Sequence, residues 1–187
     1  MSHRILKAAE HRRMPWKNGR GETVEIAVHP HGAGLADFGW RISMAGVSED
    51  GDFSIFPQID RTLAVLTGEG IELHVQGTPT RQLTPDSEPM AFAADVPTSA
   101  RLLAGPIIDL NVMTRRGAFT HRLTRLSTQA TGAPQWRLLL ATAPVTLEFA
   151  GKTMALEPLD ALYCEGAEAA LPVGPAPDLW LIEIDDA

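Results

Sequence analysis

Asp52-Phe-Ser-Ile-Phe-Pro-Gln-Ile-Asp-Arg-Thr-Leu-Ala-Val-Leu-Thr-Gly-Glu-Gly-Ile-Glu-Leu73 is the stretch on which the fold turns. Phe53, Ile55 and the run Leu63 to Leu66 are apolar segments of β type, interrupted by Pro57 and ended by Gly68-Glu69-Gly70. Glycine takes positive φ without steric cost, so this Gly-x-Gly reads as the corner of a tight hairpin. Ile71-Glu-Leu-His-Val75 then alternates strictly, apolar on one face and polar on the other.

The same texture extends in both directions. Residues 4 to 10 are expected to form a short strand or a helical turn, and Met14 to Gly21 a loop rich in turn residues. Thr23 to Val28 alternates with Val24, Ile26 and Val28 on one face and Thr23, Glu25 and Ala27 on the other. After a Pro/Gly loop from His29 to Gly34, Phe38 to Ala45 sets Trp40, Ile42 and Met44 opposite Arg41, Ser43 and Ala45. Shorter strands are expected around residues 81–83, 90–93 and 98–103. Ile107 to Met113 puts Asp109, Asn111 and Met113 on one face and Ile108, Leu110 and Val112 on the other. Two polar groups in register on an apolar strand must meet water, partners or a ligand. Beyond Gly117, strands are expected over residues 136–142, 145–149, 152–156, 161–163 and 179–184, with few polar groups on shared faces. Short strands at this spacing, without helical periodicity, predict an all-β barrel or sandwich, divided into a first unit over 1–117 and a smaller one over 118–187.

The strand–corner–strand at Gly68 resembles the first motif of a cupin barrel: His-x-His, a short spacer, Glu, six residues, then Gly. Counting back from Gly68 places Arg61 in the Glu slot and Ser54 and Phe56 in the two His slots. A fourth slot, reckoned from Pro97, falls near Leu102. None of these side chains holds a transition metal as imidazole or carboxylate does, so no metal or other cofactor is expected. A cation where the carboxylate would stand favours an anionic ligand.

The chain has 187 residues and a net charge of −7, with 44% hydrophobic and 21% charged residues. That balance suits a globular core and argues against nucleic acid or an anionic membrane as partner. Cys164 is the only cysteine, which excludes an internal disulfide and suits a reducing compartment. With no apolar leader in Met1 to Lys7, a cytoplasmic protein is expected. His29-x-His31 lies in a loop without a third ligand at metal spacing and reads as solvated. Cys164, with no neighbouring His or Asp, reads as structural.

Four groups are candidates for a binding site. Lys17 and Asn18 sit on a loop that Trp16 would anchor by apolar burial, about 2 kcal/mol; they are either a capped, solvated turn or a cover over the barrel mouth. Arg41 and Arg61 are either exposed charges or inward cations. For Arg61 the cupin slot points inward, and a buried guanidinium then needs Asp60, Asp109 or a bound carboxylate. Asp60 is adjacent in sequence and should face the other side of a regular strand. Asp109 and Asn111 either close a structural network or line a pocket, and Thr23 with Glu25 make a weaker case of the same kind.

Met14-Pro-Trp-Lys-Asn-Gly, Trp40-Arg-Ile-Ser, Asp50-Gly-Asp-Phe-Ser-Ile-Phe-Pro, Asp60-Arg and Asp109-Leu-Asn-Val-Met-Thr-Arg-Arg-Gly occur in this order. Together they resemble the HutD/Ves family over residues 14–117; beyond 120 the likeness rests on length and strand texture. The resemblance implies a bicupin, two small barrels in one chain with the pocket in the first. It also implies a link to histidine catabolism, where members restrain pathway output by sensing an intermediate. Formylglutamate, urocanate and formate are the candidate ligands it offers. The Ves branch lies outside that pathway, and Arg20 stands where the family more often has glycine. The expected function is therefore a metal-free, regulatory binding protein for a small carboxylate, with open barrel edges that would suit a homodimer. One alternative is a metal-independent isomerase or hydrolase, with Asp109 or Glu25 as base and Lys17 as electrostatic stabiliser. The other is a protein-interaction module with a vestigial pocket.

Overall fold

The computed structural model describes residues 2–16, 19, 21–126, 134–149, 151–166 and 178–187. Among these, alternating and apolar runs become strands throughout, and the single helical element is one 3-10 turn, Ala8–Glu10. Chain contacts divide the molecule into two units: Arg12–Phe119, and Met1–His11 together with Thr120–Ala187.

In chain order the strands are β1 (Ser2–Leu6), β2 (Arg12–Pro15), β3 (Gly21–His29), β4 (Trp40–Val47), β5 (Gly51–Asp52), β6 (Ile59–Thr67), β7 (Ile71–Val75), β8 (Arg81–Leu83) and β9 (Met90–Ala93). They continue with β10 (Thr98–Leu102), β11 (Ile107–Arg115), β12 (Phe119–Arg125), β13 (Trp136–Ala141), β14 (Val145–Phe149), β15 (Lys152–Leu156), β16 (Ala161–Glu165) and β17 (Leu179–Asp186).

The unit Arg12–Phe119 holds a six-stranded sheet, β2-β3-β4-β11-β6-β9, and a four-stranded one, β5-β10-β7-β8. Every pairing in both is antiparallel. Leu63 and Val65 of β6 meet Ile71, Leu73 and Val75 of β7 and Leu83 of β8 in one core, which joins the two sheets. The corner between β6 and β7 needs its glycines. Gly68 and Gly70 take φ of 92° and 114°. A Cβ on Gly70 would lie 2.3 Å from the Leu83 carbonyl oxygen, and one on Gly68 2.6 Å from that of Pro106.

Three local expectations are corrected. Met14 and Pro15 belong to a strand rather than a loop, because β2 pairs with β3 from Arg12↔Glu25 to Pro15↔Glu22. Phe53 to Phe56 is not a strand: β5 ends at Asp52, and the segment is tied down by isolated bonds, Phe53 N–H to Thr98, Phe56 N–H to Ala94 and Ile59 N–H to Phe56. Ile55 is left 55% exposed. In β3, the register shifts between Glu25 and Ala27, so Ala27 lies opposite Ile42 and leaves the face of Thr23 and Glu25. Such a bulge inserts one residue and re-aims its successors.

The other unit is a five-stranded sheet, β1-β16-β13-β17-β12, with the hairpin β14–β15. Its core gathers residues such as Leu139, Leu147, Phe149, Leu162 and Leu181. Ser2 to Leu6 pairs antiparallel with Ala161 to Glu165, so the first eleven residues lie in this unit, whereas the sequence placed them with 12–117. One of the few shared polar faces expected here carries a buried ion pair. Arg137 of β13 lies opposite Glu183 of β17 and donates from Nη2 to its Oε1 at 2.7 Å. Arg122 donates to the other carboxylate oxygen. Cys164 is packed into the apolar core, as expected of a structural thiol, and burial pushes its pKa up to about 11.

The corner geometry carries a prediction. Gly70→Ala should lower stability by about 2–4 kcal/mol, combining left-handed strain with the clash at Leu83. Gly77→Ala, at φ 83° with nothing within 4 Å of the added Cβ, should cost only about 1–2 kcal/mol. Urea unfolding of the two variants against the parent measures the difference.

Candidate functional site

The antiparallel register of β11 builds the site. Asp109 lies opposite Ala45 and Val65, Asn111 opposite Ser43 and Leu63, and Met113 opposite Arg41 and Arg61. Directly opposed residues share a face, so both arginines flank Met113 in one row, and Asp109 and Asn111 occupy the next two. The reverse face carries Leu110 and Val112, both fully buried. The register with β6 shifts between Ile108 and Asp109, a second bulge beside the polar rows.

That face lines a cavity of about 780 Å³. Of the residues singled out in the sequence, Thr23, Arg41, Arg61, Asp109 and Asn111 line it. Ser54 and Phe56, from the two His slots, line it as well. Glu25 does not; it accepts a hydrogen bond from Arg41 Nε at 2.7 Å, with Arg12 Nη1 3.8 Å away from its other oxygen. Arg41 is therefore already compensated. Thr23 is also engaged, since its Oγ1 accepts from Trp16 Nε1 at 2.8 Å. This bond fixes the Trp16 ring at the cavity wall, where an anchor was expected. Lys17 and Asn18 lie outside the described residues, as does Arg20.

Arg61 is differently placed. It is 7% exposed and donates from Nε at 2.8 Å and from Nη2 to the single oxygen Asn111 Oδ1. Asn111 Nδ2 in turn donates to Asp109 Oδ1 at 2.5 Å. The carboxylate thus reaches the guanidinium only through an amide. The cation also lies over the Phe53 ring, 4.4 Å from its centroid, and 5.8 Å from that of Phe92. Asp60 faces away and pairs with Arg116 at 2.8 Å. Burial pushes the Arg61 pKa down to about 10, with Asp109 opposing and Arg41 reinforcing the shift. Burial pushes Asp109 up to about 6, against the pull of Arg61, Asn111 and the Ala45 N–H. Asp109 is 1% exposed, and its Oδ2 makes no well-formed hydrogen bond to a described residue.

The sequence did not single out Phe53, which lines the cavity, or Phe92, which flanks Arg61 without lining it. Both were read as apolar strand residues, and their role as faces for a guanidinium depends on distant pairing, Phe92 lying opposite Arg61 across β6 and β9. Glu49, Asp50 and Asp52 also line the cavity. Their cluster in a turn, just before the Gly51-Asp52 strand, was the available signal. Among the described residues no three of His, Cys, Asp or Glu are grouped so as to hold a metal ion.

The model of the HutD family matches residues 8–181 of this sequence. The chain belongs to the HutD family. It is 36% identical, over 96% of both chains, to an uncharacterized 21.2 kDa protein in the hutC 3′ region of Pseudomonas putida. It is 38% identical to the protein Ves of Cronobacter sakazakii over 102 residues, 54% of each chain. Among solved structures it is similar to HutD of Pseudomonas fluorescens SBW25, with a TM-score of 0.84, 33% identity and full coverage of both chains. The HutD/Ves resemblance, read from the first 117 residues, therefore extends through the C-terminal half.

Asp109 gives the site a pH signature. Its folded pKa of about 6 lies above the ordinary 3.8, so the folded state binds its proton more tightly. The resulting stabilisation is fully present below about pH 4 and is lost as pH rises through 6. Asp109→Asn removes this dependence. From pH 4 to pH 7 the parent should lose about 2–3 kcal/mol of stability relative to the variant, measured by urea unfolding of both proteins at the two pH values.

Proposed function

We propose that the cavity of the unit Arg12–Phe119 binds a small carboxylate through Arg61, without a metal, and that the chain acts as a regulatory binding protein of histidine utilisation. The observation that carries this is the state of Arg61. It is a buried cation lining a cavity, held by a neutral amide and two aromatic faces instead of by a carboxylate. Burying a charge without an ionic partner is costly, and an incoming anion offsets that cost. Arg41 adds positive potential in the same row, partly cancelled by Glu25.

Family membership and the hutC-region relative support the histidine context. The solved P. fluorescens HutD was obtained in a formate condition, which puts formate beside urocanate and formylglutamate as ligands to try. The two all-β units, each with its own core, support a bicupin reading of the fold. Ser54, Phe56 and Arg61 in three of the cupin ligand slots support a metal-free site.

A second reading, acid–base catalysis, has one observation in its favour: a cavity carboxyl with a pKa of about 6 is poised for proton transfer near neutrality. Asp109 is then the base, since Glu25 is occupied by Arg41.

The test is calorimetric titration of the parent and a folded Arg61→Met variant with formate, urocanate and formylglutamate. A charge-assisted hydrogen bond of about 1.5–3 kcal/mol predicts a roughly ten- to hundredfold loss of affinity in the variant. Unchanged affinity for an acid that the parent binds would make Arg61 structural. Elemental analysis of the parent should find less than one iron, zinc or manganese per chain; a stoichiometric metal would overturn the metal-free reading.

A further inference from the structure

The buried polar chain in the cavity has two unfinished ends. Asn111 is engaged on both sides: its Oδ1 accepts twice from Arg61, and its Nδ2 donates to Asp109. Only this orientation of the amide matches donors to acceptors, because guanidinium donates and carboxylate accepts. Asn111 therefore cannot turn to serve Asp109 further without releasing Arg61. At one end stands a guanidinium whose hydrogen bonds to described residues all go to a single oxygen. At the other stands Asp109 Oδ2, buried and without a well-formed hydrogen bond to any described residue. A carboxylate oxygen left in that condition is expensive, and native structures rarely tolerate one without a ligand, ion or water to satisfy it.

From this geometry we infer that the ligand carries, besides its carboxylate, an N–H or O–H donor received by Asp109, and that Asp109 is the specificity-determining residue of the cavity. The inference rests on the carboxylate-binding reading above. It adds the class of acid selected: an acylamino, amino or hydroxy acid, or a heterocyclic acid with a ring N–H, in preference to a plain alkanoate.

The charge of the wall points the same way. Among the described residues, Glu49, Asp50, Asp52 and Asp109 line the cavity against two cations, Arg41 and Arg61. In this described lining a bare anion meets more negative than positive groups. A molecule that presents a donor to one carboxylate while its own carboxylate meets Arg61 is complementary at both ends. Discrimination of this kind is strong because an analogue without the donor leaves the buried acceptor unpaired.

A matched pair of acids tests it. N-acetylglycine and levulinate are close in size and both carry a carboxylate and a carbonyl; an N–H in the first is a CH2 in the second. Calorimetric titration of the full chain at pH 7.5 should show N-acetylglycine binding at least about tenfold more tightly. In Asp109→Leu, isosteric but without an acceptor, the preference should vanish while levulinate still binds. Equal affinities in the parent overturn the inference and leave the carboxylate reading standing, and this comparison needs no variant to fold. A preference that survives in folded Asp109→Leu overturns the role of Asp109. If neither acid nor formate binds the parent, the carboxylate reading fails, and this inference with it.

Discussion

A guanidinium withdrawn from water and tied to an amide is the constraint around which the Arg12–Phe119 unit is arranged. Arg61 needs a polar acceptor on the strand beside it, which Asn111 supplies from β11. Asn111 needs an acceptor for its own N–H, which Asp109 supplies two residues away on the same face. The aromatic faces of Phe53 and Phe92 complete the surroundings. Placing an amide between cation and carboxylate weakens their attraction, since Coulomb energy falls with distance. The cation is fixed in place without being neutralised by direct contact. A direct Arg61–Asp109 pair would be the more self-sufficient structure and the poorer receptor for an anion.

The backbone around this chain is adjusted for it. Both register shifts of the six-stranded sheet, in β3 after Glu25 and between β11 and β6 at Asp109, fall next to the polar rows. The shift in β3 lets its polar face give way to an apolar one, since Thr23 and Glu25 are followed on it by Val28, opposite Arg41. In β6 the same change needs no shift: Arg61 lies in the cavity wall, while Leu63 and Val65, the next residues on that face, enter the core shared with β7.

The strands and their faces were legible because period-two alternation is a local signal. So were the Gly68–Gly70 corner and the inward aim of Arg61, which follow from short-range spacing. Which polar groups would meet was not legible. Asp109, Asn111 and Arg61 were all named, but the sequence left Asp109 or a bound carboxylate as the partner of Arg61, because nothing local shows that the Asn111 amide stands between them. The pairing of Glu25 with Arg41 was missed for the same reason: it depends on the register of β3 against β4. Arg137 and Glu183, 46 residues apart, share no local pattern. The bulge that turned Ala27 away is an insertion of one residue, which an alternating pattern does not announce.

The pairing of β1 with β16 has a consequence for the order of events during synthesis. Residues 12–119 form a continuous stretch whose strands find all their partners within it, so this unit can be complete before the C-terminal third of the chain has been made. Ser2 to Leu6, made before that unit, waits for Ala161 to Glu165 before its ladder can form. Closing so long a loop is entropically slow, and an unpaired strand edge invites wrong partners in the interval. The unit that holds the cavity is thus the part of the molecule that can mature early, and Ser2 to Leu6 is paired only after it.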